Sequence, residues 1–239
     1  MLLPWPQLLG ACLVVALATG IHGAVGFGAM LLAAPILKLI DPHFVPGPML
    51  ICGFFLALML ALREPDAVDL RGVSWALIGR LPGTGLGVLA LALLPQALLG
   101  PAFGGLILLA VLLSASGLRL RPDRGTLFGA GLLSGVMGTV TSAGGPPVAL
   151  VYQDASGARL RGTLSGYFIF STAMSATGLA LGGLLDTQAL LLAALLLPAV
   201  VVGFLLSSRI LPLVDRKRTR PAVLALSSAA GIAAIVKSF

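Results

Sequence analysis

Two apolar stretches of this chain are interrupted by glycines at corresponding places, and that repetition restricts what the chain can fold into. In the first half His22-Gly23-Ala24-Val25-Gly26-Phe27-Gly28 leads into an apolar run reaching Pro35. In the second, Ser134-Gly135-Val136-Met137-Gly138-Thr139 leads into Thr141-Ser142-Ala143-Gly144-Gly145-Pro146-Pro147. Gly23 and Gly26 map onto Gly135 and Gly138 at one offset. Downstream, Gly53-Phe54-Phe55 matches Gly166-Tyr167-Phe168, and Leu81-Pro82 with Gly87 matches Leu197-Pro198 with Gly203. Landmarks kept in one order imply an internal duplication, with repeats over residues 8–118 and 125–236. Helices broken at corresponding places in two halves point to a substrate site between the halves.

Composition decides the surroundings. With 58% hydrophobic and 10% charged residues and a mean hydropathy of +1.08, the chain falls far below the roughly 25% charge of globular domains. Its apolar runs are long enough for helical spans of about 20 residues, and the short alternating strands of a membrane barrel are absent. The fold class is therefore an all-α integral membrane protein, embedded in a lipid bilayer. A net charge of +7 and a pI near 10.5 do not indicate nucleic acid, because the arginines sit in short loops without interleaved aromatics. The positive-inside rule explains them. Cys12 and Cys52 lie in apolar segments without metal-ligand spacing and read as packing residues. No metal or cofactor site is legible. The opening MLLPWPQLLGACLVVALATG looks like a signal h-region but has no basic n-region and belongs to the first repeat, so it is expected to be retained.

Apolar runs fall at about 8–40, 46–62, 72–93, 97–118, 125–153, 160–182, 187–211 and 219–236, four in each half. Arg119 to Arg124 forms a short hinge, so residues 1–239 make a single domain of two bundles. The first run of each half is longer than one crossing needs. If every run crosses, the basic residues divide without bias between the faces. If 125–153 instead dips in and returns, all the loop basic residues share one face except Lys38 and Lys237, as the positive-inside rule prefers. Extended to 8–40 by internal homology, this gives each half one re-entrant hairpin and three crossings, and makes the repeats inverted. The alternative is a kinked span at each break.

Absent groups narrow the chemistry. All eight carboxylates (Asp41, Glu64, Asp66, Asp69, Asp123, Asp154, Asp186 and Asp215) lie in loops or at segment ends, whereas cation sites and proton relays usually require intramembrane acids. A small anionic substrate fits better. Half-helices starting inside the membrane expose unpaired N–H groups to an oxyanion, and glycine allows close backbone approach. The expected contacts are Thr139, Thr141, Ser142, Gly144 and Gly145 at the second break and Gly26 and Gly28 at the first, with close helix packing as the competing role. Arg80 lies roughly 12 Å along its segment and is either a binding group or a snorkelling interfacial one. His22 reads as a substrate ligand, a proton acceptor or a packing residue. Tyr152 and Gln153 mark a vestibule or an interfacial anchor.

These motifs, GAVGFGAMLLAAP and SGVMGTVTSAGGPPVAL, resemble the sulfite exporter TauE/SafE family of membrane permeases along nearly the whole chain. The first copy departs from a full glycine pattern at Gly26-Phe27-Gly28-Ala29. The resemblance implies movement of sulfite, sulfonates or related anions across the bacterial cytoplasmic membrane. No P-loop is present, so coupling would come from an ion gradient or the membrane potential. Two other readings stay open: an intramembrane enzyme using Ser134 or Ser142 with His22 as base, and an assembly subunit that transports nothing. The pattern also admits a homodimer.

Overall fold

The structure is a computed structural model that describes residues 4–25, 28–63, 68–210 and 216–237. Among these residues the chain is all-helical. The helices are α1 (Trp5–Val25), α2 (Ala29–Ile40), α3 (Gly47–Arg63), α4 (Leu70–Leu93), α5 (Gln96–Ala115), α6 (Arg124–Thr141), α7 (Gly145–Val151), α8 (Gly157–Leu181), α9 (Thr187–Ile210) and α10 (Arg216–Val236). A short 3-10 turn, Pro42–Phe44, joins α2 to α3. Six helices are long and apolar enough to cross a membrane: α1, α3, α4, α5, α8 and α9. Leucines along their outer faces are exposed, among them Leu9, Leu13, Leu17, Leu89 and Leu205, as a lipid-facing surface requires.

Local chemistry sets the element ends. Asp69 and Asp123 cap α4 and α6 by accepting the Gly72 and Thr126 N–H groups, satisfying donors that a helix start leaves open. The long first run divides into α1 and α2 at Gly28, whose φ of 102° puts it in the left-handed region natural to glycine. The run at 125–153 divides at Ser142, the only non-glycine with positive φ among the described residues (62°). Its N–H bonds the Gly138 carbonyl and its Oγ donates to the Pro46 carbonyl at 2.9 Å, offsetting the left-handed conformation. Pro146 and Pro147 then fall in the first turn of α7, where no helical N–H is lost.

Helix directions follow from side-chain neighbours. Along α4 and α6, Ala76 meets Gly131, Gly83 meets Leu132 and Gly135, and Gly87 meets Thr139, so the two run parallel. A Cβ at Gly79, Gly83 or Gly131 would overlap a carbonyl of the facing helix, and this spacing of small residues lets the backbones touch. Helices α1 and α9 are also parallel: Cys12 reaches the Leu195 carbonyl, Gly203 meets Ala16 and Thr19, and Gly23 meets Ser207. The antiparallel pairs are α3 with α8 and α5 with α10.

Both divided runs turn back on themselves. Helix α6 starts beside the start of α4, and after α7 the Tyr152 hydroxyl reaches Asp69 at 3.2 Å while Gln153 donates to the Leu118 carbonyl, at that same end of the bundle. Helix α1 starts beside the start of α9, and α2 returns until Ile40 lies against Gly10. The two hairpins thus start from opposite ends. Arg63, Arg71, Arg119, Arg121, Arg124, Arg159, Arg161 and Arg209 lie at the end where α4, α6 and α8 begin, and Lys38 and Lys237 at the other. At the arginine end Asp69 also pairs with Arg159 at 3.2 Å. The Gly72 N–H, helped by Arg159 and Tyr152, holds its carboxyl below the usual range.

Buried side chains form three clusters. One joins α1, α2, α3 and α9 around Val15, Leu37, Phe44 and Leu196. A second joins α4, α6, α7 and α8 around Ala76, Val148 and Tyr167. A third links α2, α5, the second break and α10 around Phe103, Ile107, Met137 and Ala234. Substituting the last five helices for the first five, and the reverse, interchanges the first two clusters.

Candidate functional site

Where the hairpins approach each other they line a cavity. His22, Gly28, Met30 and Leu31 line it from the first hairpin, and Gly138 with Ser142 to Pro146 from the second. Helix α3 adds Leu50, Gly53, Leu56 and Ala57, α4 adds Arg80, and α8 adds Phe168, Ser171 and Thr172. The structure therefore brings together His22, Gly28, Arg80, Ser142, Gly144 and Gly145 from positions far apart in sequence. Gly26 lies outside the described residues. Thr139 and Thr141 stand behind the wall. Thr139 Oγ1 bonds Ser175 Oγ at 2.9 Å, while Thr141 Oγ1 donates to the Met137 carbonyl at 2.6 Å and accepts the Ala143 N–H. Tyr152 and Gln153 belong to the arginine end and do not line the cavity.

Each hairpin is held at its turn by the side chain at a corresponding place. His22 Nδ1 accepts the Ala29 N–H at 3.2 Å, which occupies one of the open amides at the start of α2. Ser134 Oγ donates to the Gly144 carbonyl. Among the described residues neither Ser134 nor Ser142 hydrogen-bonds His22: their hydroxyls donate to the Gly144 and Pro46 carbonyls. The seven residues of α7 make a weaker dipole than a full helix, and the fixed charge at the cavity belongs to a side chain.

That side chain is Arg80. It is 2% exposed, and α4 carries it about 15 Å from the helix start at Leu70, so it does not snorkel to an interface. Its Nε donates to the Ser171 carbonyl at 3.0 Å. Its Nη1 faces the Ser134 carbonyl at 2.9 Å, Ser134 Oγ at 2.8 Å and the Tyr167 hydroxyl at 3.2 Å. Nη2 has one acceptor, Ser175 Oγ at 2.9 Å, which leaves one of its two N–H groups for another partner. Every partner is an uncharged oxygen. The described carboxylates Asp41, Asp69, Asp123, Asp154 and Asp186 all sit at helix starts or in connections. A buried cation without a counter-ion is costly, and an anion in the cavity would supply one.

Sequence reading missed Tyr167, Ser171 and Ser175, which form this shell around Arg80. Their spacing of four residues put them on one face of α8, and that was the available signal. It also missed Phe168. The Phe168 ring lies 6.3 Å from the His22 ring in an edge-on arrangement and close against Gly145, so it stands between the two hairpins. Nor was Arg63 anticipated. From the end of α3 it bonds the Gly23 carbonyl at 2.6 Å and Ser207 Oγ at 3.1 Å.

Comparison with known proteins agrees with this architecture. Residues 11–234 match the family described as sulfite exporter TauE/SafE. A protein of Cupriavidus necator described as a probable sulfite/organosulfonate exporter TauE is 31% identical over 164 residues, covering 64% of this chain and 63% of that protein. The matched region thus spans somewhat less than two thirds of the relative's length. No solved structure matches the chain. A family match over nearly the full length, on an all-helical chain with six candidate spans, places this multi-pass membrane protein in the sulfite exporter TauE/SafE family.

Proposed function

We propose that this chain is a secondary transporter that moves a small anion, such as sulfite or an organic sulfonate, across the cytoplasmic membrane by alternating access. The observation that carries the reading is Arg80, a buried guanidinium without a carboxylate partner, lining a cavity to which both hairpins contribute. In this reading the hairpins are re-entrant and the two sets of five helices are inverted repeats, supported by their opposite starting ends and the interchangeable clusters. The arginine-rich end faces the cytoplasm. Arg80 supplies charge and the open Nη2 N–H, and Leu50, Leu56 and Phe168 exclude water from the organic part of the substrate. The substrate named for the Cupriavidus relative supports the choice of sulfur anions.

Flux into liposomes tests this. Purified protein is assayed with labelled sulfite, sulfate and sulfoacetate, alongside Arg80→Gln. Loss of a charge-assisted contact worth about 1.5–3 kcal/mol should reduce transport roughly 10- to 100-fold. Unchanged flux in the variant would remove Arg80 from the site, and absence of flux for every anion would remove the transport reading.

A further inference from the structure

We infer that the carrier exchanges one anion for another and does not return empty across the membrane. The inference deepens the transport reading and depends on it. Alternating access passes through a state in which the cavity is closed to both sides. In the structure Arg80 lies at about the middle of α4, 2% exposed and among neutral oxygens only, so closing the cavity with no anion bound would seal in its charge unpaired. Hydrogen bonds from carbonyls and hydroxyls hold the guanidinium in place but do not cancel its unit charge.

No other group facing the cavity can cancel it. His22 is the remaining titratable side chain in the lining, and an imidazole is either neutral or cationic, so it cannot offset a guanidinium. The described aspartates lie at helix starts and in connections, away from the cavity. An anion close to Arg80 makes the closed site neutral when singly charged, whereas water must be stripped from a bare cation when the site closes empty. Closure is therefore fast when loaded and slow when empty. The loaded carrier crosses in each direction, and net one-way movement is limited by the empty return.

The test uses the intact protein in liposomes with membrane potential clamped at zero, and labelled sulfite outside. Initial uptake is compared between vesicles loaded with unlabelled sulfite and vesicles holding only an impermeant polyanion. Exchange predicts uptake at least about tenfold faster into the loaded vesicles, given the penalty on a buried arginine. Equal uptake overturns exchange while leaving transport intact, and no uptake in either overturns the transport reading and exchange with it. Arg80→Gln supplies the second measurement. Its residual uptake should be the same in both vesicle types, and a retained tenfold preference would overturn the assignment of exchange to this charge.

Discussion

Phe168 is where one side chain touches both halves of the site. Its ring meets the His22 ring edge-to-face and its Cζ packs on Gly145, where an added Cβ would lie 3.0 Å away. An aromatic ring between two hairpins sets the space left for a substrate's organic group, since hydrophobic pockets discriminate by about 1–3 kcal/mol per methylene. Phe168→Ala is expected to raise flux of a bulky aromatic sulfonate relative to sulfite by about tenfold. Competition of the two anions in the same vesicles measures the ratio, and an unchanged ratio would show that Phe168 does not limit substrate size. In the sequence Phe168 stands out only as part of the repeated Gly-aromatic-Phe landmark. Its placement depends on how α8 docks against hairpins distant in sequence, which no local pattern encodes.

Element by element, the chain was read well wherever punctuation is local. The expected run at 72–93 became α4, Leu70–Leu93, and 46–62 became α3, Gly47–Arg63. Asp69 and the connection before it mark one such boundary, and Pro95 another. The interruptions at Gly28 and Ser142 were visible for the same reason: glycine and a Gly-Gly-Pro-Pro sequence dictate backbone geometry within a few residues. Partners were not legible, because the glycines that join α4 to α6 belong to different halves of the sequence. Thr141 shows the same limit in miniature. A hydroxyl at a break is expected from sequence to face a substrate, but here it bonds its own helix at Met137. The α4–α6 contact carries its own prediction. Gly83→Leu places a side chain where the Leu132 carbonyl lies, so the variant should lose well over 3 kcal/mol, the upper range of ordinary overpacking. Its thermal transition in detergent would fall by more than that of Gly85→Leu, a position with open space around it.

For the whole molecule, the distribution of charge and the course of the hairpins make one joint statement about threading. The segment 124–153 begins near the start of α4, where Arg124 lies over the Trp75 ring, and ends with Tyr152 bonded to Asp69, so both flanks lie at one end of the helix bundle, and the proposed re-entrant threading puts them on one face of the membrane. In a background lacking Cys12 and Cys52, Pro122→Cys and Gly157→Cys should label from the same side with an impermeant maleimide, and Asp186→Cys from the other. Labelling of positions 122 and 157 from opposite sides would make the second run a kinked span. Helix α3 ties this arrangement together. At its far end the Arg63 guanidinium grips the Gly23 carbonyl near the turn of one hairpin, and just before its start the Pro46 carbonyl takes the Ser142 hydroxyl from the turn of the other. Seventeen residues of helix, about 25 Å long, therefore act as a connecting rod between the two tips. A hydrogen bond is lost when its partners separate by about 1 Å, so a slide of the rod by that amount would break its contact at either end, and the two hairpin turns are mechanically coupled through α3.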